Sequence, residues 1–169
     1  MLCLFKLPLH FWKISLVNKT EFYRELLAQT NALISGETDP IANMANISAL
    51  LFDALDQVNW LGFYRVMDNQ LVLGPFQGKV ACIRIPLGTG VCGTAAKTKT
   101  TQRIADVHQF DGHIACDATT NAEIVIPVQV NGDIIAVLDI DSTSYERFDQ
   151  EDQTGLEAIV KAFEQSLLA

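Results

Sequence analysis

Three cysteines in the body of the chain, Cys82, Cys92 and Cys116, and three acids, Glu123, Asp139 and Asp141, carry its chemical content. Cys92 lies within Gly88-Thr89-Gly90-Val91-Cys92-Gly93, a tight glycine turn that opens a short helix. A thiol at a helix amino terminus feels the positive end of the dipole, which favours its thiolate. Cys116 lies in a loop with Asp111, Gly112, His113 and Asp117 and no apolar run to bury it, so small molecules can reach it. Cys82, in Cys-Ile-Arg-Ile, reads as a strand residue and by type is equally well a small buried hydrophobe. A loop thiol that meets a helix-start thiol is what reversible disulfide chemistry needs, because one thiolate attacks and a second resolves the product.

The acids invite two readings. Strand-end carboxylates are ordinarily solvated charges, but Asp139 and Asp141 share a strand face with Val137 and Ile135 on the expected alternation, so they line a partly apolar surface. Clustered carboxylates do not all ionise at low cost, and one of them then holds a proton near neutral pH, which supplies a general acid. Trp60, followed by Leu-Gly-Phe-Tyr, is a core residue by type and an indole wall for a ligand by exception. The glycine run around Cys92 matches the letters of a dinucleotide fingerprint, but Pro86 interrupts the preceding strand and no βαβ unit surrounds it. Cys82, Cys92 and Cys116 with His108 and His113 have the residue types of a zinc site without its close ligand pairs, so no metal is expected.

The elements that must position these groups are legible in the hydrophobic pattern. Asn18 with Glu21 makes a capping-box-like start, and Phe22, Leu26, Leu33 and Ile34 recur near helical spacing until Gly36. Asp39-Pro40 opens a second helix with Ile41, Met44, Ser48, Leu51 and Leu55 on one stripe, running to about Val58. From Trp60 an extended run, a turn at Asp68-Asn69 and Leu-Val-Leu predict a hairpin, with Cys-Ile-Arg-Ile as a third strand and residues 106–121 as a long polar loop. A second hairpin joins EIVIPVQV to DIIAVLDID around Asn131-Gly132. A simple two-residue turn would mix apolar and acidic residues on each face. A three-residue loop, Val130-Asn131-Gly132, pairs Gln129 with Asp133 and sets Glu123 opposite Asp139, leaving the other face wholly apolar. The three-residue loop is therefore expected. Asp149 caps a last helix with Leu156, Ile159, Phe163 and Leu167 buried. The sum is an α+β domain, a mostly antiparallel sheet with helices from both termini.

Composition bounds the function. With 169 residues, 49% hydrophobic and 19% charged, the chain buries a single core without disulfides or metal. Its net charge of -8 disfavours nucleic acid and anionic membranes as partners. Four unevenly placed cysteines suit a cytoplasmic protein with free thiols better than a secreted disulfide framework. Residues 1–17 are apolar with Lys6 and Lys13 embedded, too short a run for a membrane-spanning helix, and are read as an extension outside the domain, which occupies residues 18–169.

At these residues the sequence resembles a known family. NWLGFY around Trp60, LGPFQGKVACIRIP around Cys82, GTGVCGTA around Cys92, FDGHIACDA around Cys116, NAEIVIP around Glu123 and VLDIDS around Asp139 resemble the free methionine-(R)-sulfoxide reductases, single GAF-domain enzymes. The resemblance implies a GAF-like fold, helices packed into a homodimer on one side of the sheet and a ligand cavity under loops on the other. It implies that Cys116 attacks the sulfur of free methionine sulfoxide and becomes a sulfenic acid, that Cys92 condenses with it to a disulfide, that Cys82 serves as an additional resolving thiol, and that thioredoxin restores the thiols. Glu123, Asp139 and Asp141 match acids that bind the substrate and polarise the sulfoxide oxygen, and Trp60 matches a tryptophan that contacts its methyl group. No cofactor is implied. The competing class is a GAF module that binds a small molecule without turning it over, and thiol titration before and after adding methionine sulfoxide separates the two.

Overall fold

A computed structural model describes residues 18–114 and 116–168. The expected extension, residues 1–17, lies outside the described residues. Two helices come first. Helix α1, Lys19–Ile34, starts where the Asn18 side chain accepts the Thr20 amide, and α2, Pro40–Ala54, starts where Asp39 accepts the amides of Ile41 and Ala42. Proline at the first turn of α2 lacks only an N–H that would have had no partner there. The second helix ends short of the expected Val58, which already belongs to strand β1, Val58–Met67. Tyr23 rather than Leu33 faces the core from α1, and Leu33 is largely exposed.

Six strands form one antiparallel sheet in the order β3-β2-β1-β6-β5-β4, with β2 at Gln70–Gly78, β3 at Arg84–Pro86, β4 at Gln102–Ile104, β5 at Ala122–Val130 and β6 at Asp133–Ser142. This is the expected α+β, GAF-like layering. Helices α1, α2 and α4, Gln150–Ser166, contribute with one sheet face to a core that includes Leu26, Ile47, Leu51, Phe63, Ile124, Leu138, Ile140, Leu156 and Phe163. The opposite face packs against α3, Gly90–Thr98, in a smaller cluster that contains Trp60, Tyr64, Val91, Cys92, Val125 and Val137. Asp149 caps α4 as expected, in a reciprocal box with Asp152.

Three local expectations are corrected. Cys82 was expected on a strand and lies in the loop before β3, whose first residue is Arg84. The polar loop 106–121 holds a short 3-10 turn at Val107–Gln109, and the three-residue strand β4 precedes it. The third correction is the β5–β6 hairpin. Its turn has two residues, Asn131 at φ 52° and Gly132 at φ 86°, with Val130 opposite Asp133. Left-handed backbone at both turn residues matches the twist of the strands, and asparagine and glycine tolerate it best. The register then shifts between Val128 and Gln129, so Val128 pairs with Ala136 and Ile135 is the extra residue of a bulge. Ile135 packs with the helix-side core, whereas Ile134 packs with the opposite cluster, reversing their expected faces. Beyond the bulge Ile124, Ile126 and Val128 face Ile140, Leu138 and Ala136, so the apolar face is the expected one while Glu123 pairs with Asp141 and not with Asp139.

Candidate active site

The bulge decides what the sheet offers beneath α3. Across β1, β6 and β5, Trp60, Asp141 and Glu123 form one row, and Gly62, Asp139 and Val125 the next. Tyr64 and Val137 follow one pleat further on. Two acids on neighbouring strands and a third two residues along therefore point into one cavity, walled by Trp60, Tyr64 and Cys92 and reached by His113 and Cys116. The indole of Trp60 stacks on Tyr64 at 5.8 Å and on Phe76 at 5.4 Å between ring centres.

All three carboxyls are held in a poorly solvated place. Glu123 and Asp139 are each only 6% exposed, and Asp139 Oδ1 has no hydrogen-bond partner. Burial, reinforced by Asp139 and Asp141, pushes the Glu123 carboxyl well above the usual range. Burial and the Asp139 charge do the same to Asp141. Asp139 is raised by burial to about 6. The cluster thus keeps its protons to higher pH than ordinary carboxyls do, as a general acid requires.

Cys92 behaves unlike the helix-start thiol expected. It does sit in the first turn of α3, but it is buried, with its Sγ 4.0 Å from Glu123 Oε1. Burial first, then the Asp139 and Glu123 charges, push the thiol well up, and these outweigh the helix dipole. Cys92 is held as a thiol. The donor atoms of Cys92, Glu123 and Asp139 lie within 4.8 Å of one another, so among the described residues this trio has the spacing to hold a cation.

The other two cysteines meet at the cavity mouth. Cys82, from the loop before β3, and Cys116, from the loop before β5, form a disulfide with 5.7 Å between their Cα atoms, and Cys92 is free. The pairing expected from the resemblance joined Cys92 to Cys116; the bond present joins the thiol read as an additional resolving group. Lys79 Nζ to Asp117 Oδ2, at 3.0 Å, joins the same two loops. Trp60 Nε1 donates to the Lys79 carbonyl and Tyr64 Oη to the Cys82 carbonyl, both at 3.0 Å, so the cavity wall also supports the loop that carries Cys82.

Two site residues were not singled out as such from sequence. Tyr64 lies four residues from Trp60 on one strand, and the period-two alternation puts both on the same face. His113 entered only as a metal candidate, yet its Nε2 lies 3.7 Å from Glu123 Oε2. Burial and the neighbouring His108 hold its pKa low, so the contact is a neutral one.

A single GAF domain with a thiol-and-carboxyl cavity is the class these features define, and the GAF domain family model matches residues 42–167. The chain belongs to the free methionine-R-sulfoxide reductase family. It is 58% identical over 151 residues to the free methionine-R-sulfoxide reductase of Escherichia coli K12, covering 89% of this chain and 92% of that protein. Among solved structures, the fRMsr of Staphylococcus aureus in complex with substrate is 51% identical with a TM-score of 0.84, covering 92% of this chain and 99% of that one. The free methionine-R-sulfoxide reductase of Neisseria meningitidis in complex with its substrate is 40% identical with a TM-score of 0.87, covering 94% and 96%.

Proposed function

We propose that this chain reduces free L-methionine-(R)-sulfoxide to methionine with electrons drawn from thioredoxin. The observation that carries this reading is an oxidised Cys116 at the mouth of a cavity floored by Glu123, Asp139 and Asp141. In the first step the Cys116 sulfur attacks the sulfoxide sulfur while a carboxyl of the cluster gives a proton to the oxygen, which makes sulfur electrophilic. Oxygen passes to Cys116 as a sulfenic acid, and methionine leaves as the two-electron-reduced product. A second thiol then condenses with the sulfenic acid, forming the disulfide and releasing water. Two thiols of thioredoxin reduce that disulfide and become oxidised in turn.

Within this scheme Cys82 is the resolving thiol, and Cys92 the second one, which substitutes when Cys82 is missing. Trp60 contacts the methyl group of the substrate, and the negative field of the acids draws its α-amino group. The protein acts as a cytoplasmic homodimer. Among the described residues no helix is long and apolar enough to cross a membrane. The deciding assay couples both epimers of free methionine sulfoxide to thioredoxin, thioredoxin reductase and NADPH. NADPH oxidation with the R epimer and not the S is expected, and equal rates or none would defeat the assignment.

A further inference from the structure

We infer that the loop of residues 79–83 is the surface on which a protein dithiol docks to reduce the Cys82–Cys116 bond. The inference rests on the proposed reductase reading. Val80 and Ile83 are the most exposed large hydrophobic residues among those described, at 89% and 69%, and they bracket Cys82 at positions two before and one after it. A single exposed apolar side chain needs no explanation. Here the backbone beneath both is fastened. The Lys79 carbonyl accepts Trp60 Nε1, the Cys82 carbonyl accepts Tyr64 Oη, and the Ile83 carbonyl accepts the Leu73 amide, each at 3.0 Å. A loop held inward at three carbonyls and presenting aliphatic side chains to solvent is a formed surface, with low ordering cost on binding.

The chemistry says what must sit there. Cys116 is exposed and Cys82 half-buried, so the disulfide is open to a thiolate approaching from solvent. One thiolate of the partner bonds to a sulfur of the pair while the other sulfur leaves as a thiolate. The partner's second thiol then displaces the mixed disulfide, so the partner ends oxidised and Cys82 and Cys116 end as thiols. A small dithiol needs no surface for this. A protein dithiol must bring its own surface against the one around Cys82, and an apolar rim beside the bond lets it do so without desolvating charges.

The test separates the two kinds of reductant. Turnover of free methionine-(R)-sulfoxide is measured with thioredoxin and, separately, with dithiothreitol, for the wild type and for Ile83→Asp, Ile83→Ser and Ile83→Leu. The KM for thioredoxin should rise about fivefold or more in Ile83→Asp, and in the same direction in Ile83→Ser. It should stay within about twofold in Ile83→Leu, and dithiothreitol-driven rates should match the wild type throughout. An unchanged KM for thioredoxin in both polar variants overturns the docking surface, as does an equal loss with both reductants. A change in oligomeric state on Ile83→Asp overturns it too, by assigning the patch to a second copy of this chain. Failure of the wild type with either reductant defeats instead the reading on which the inference rests.

Discussion

Glu123 lies directly opposite Asp141 across the β5–β6 pair, and the Cys92 thiol stands 4.0 Å from the same Glu123 carboxyl. Two acids paired on adjacent strands beneath a buried thiol form a unit whose protons are shared, so replacing one member shifts the others. Asp141→Asn keeps the shape and removes a proton donor, and a fall in kcat of about 10²-fold is expected. Asp139→Asn should raise KM more than it lowers kcat, if that group chiefly holds the amine. Steady-state rates for both variants check the division, and near-normal values in both would show that the acids are bystanders.

Stability should report the same cluster. The folded pKa of Asp139 is about 6 against an ordinary 3.8, so between those values the folded state binds more protons than the unfolded one. Its contribution is full below the ordinary value and is lost as pH rises through about 6. Glu123 and Asp141, also raised, extend the decline to higher pH. Urea midpoints measured from about pH 4 to about pH 7 should fall less steeply for Asp139→Asn than for the wild type.

Cysteine replacement orders the thiols. Cys116→Ser should abolish turnover even with dithiothreitol, because among the described residues no other exposed thiol adjoins the cavity. Cys82→Ser should leave Cys116 as a sulfenic acid, open to a dimedone-type trap or to condensation with Cys92. Mass spectrometry of the singly oxidised protein separates the outcomes. Cys92→Ser should retain the Cys82–Cys116 bond, and loss of that bond would make Cys92 the first resolving thiol.

Substrate size follows from the enclosing loops. The Lys79–Asp117 pair joins the loops that border the cavity, and the acids at its floor call for a free α-amino group, which a methionine sulfoxide inside a peptide does not present. N-acetylated and peptide-bound sulfoxide should turn over far more slowly than the free amino acid, and equal rates would contradict the proposed amine subsite.

Away from the site, Gly155 on α4 lies so close to Tyr23 that an added Cβ would run into its ring, while Tyr23 Oη donates to buried Asp152 at 2.8 Å. Gly155→Ala forces the α1–α4 contact apart and should destabilise by about 1–3 kcal/mol, read by chemical denaturation, with the active-site chemistry intact.

Much of this was legible in the sequence, and the misses share a cause. Helix starts at Asn18, Asp39 and Asp149 were visible because capping is a local code of one residue and its next three amides. The apolar face of the second hairpin was also visible, since Ile124, Ile126 and Val128 need apolar partners. The device that supplies those partners was not. A three-residue loop and a bulge at Ile135 both restore the parity, and only the left-handed backbone of Asn131 and Gly132 separates them. Likewise Cys82 reads as strand because Ile83 and Ile85 alternate around Arg84, although the strand begins only at Arg84. The raised pKa of Cys92 arises from its burial and from the charges of Asp139 and Glu123, more than 30 positions away, which no local pattern encodes.

The Cys82–Cys116 bond also has a consequence outside chemistry. Its ends are 34 residues apart, and the ring it closes contains β3, α3 and β4. Tying such a ring lowers the entropy of the unfolded chain by an amount worth about 3–4 kcal/mol in the chain-entropy treatment. If turnover makes and breaks this bond, each cycle tightens and slackens the domain as a whole. Melting temperature then becomes a gauge of the redox balance around the protein, higher when reductant is scarce.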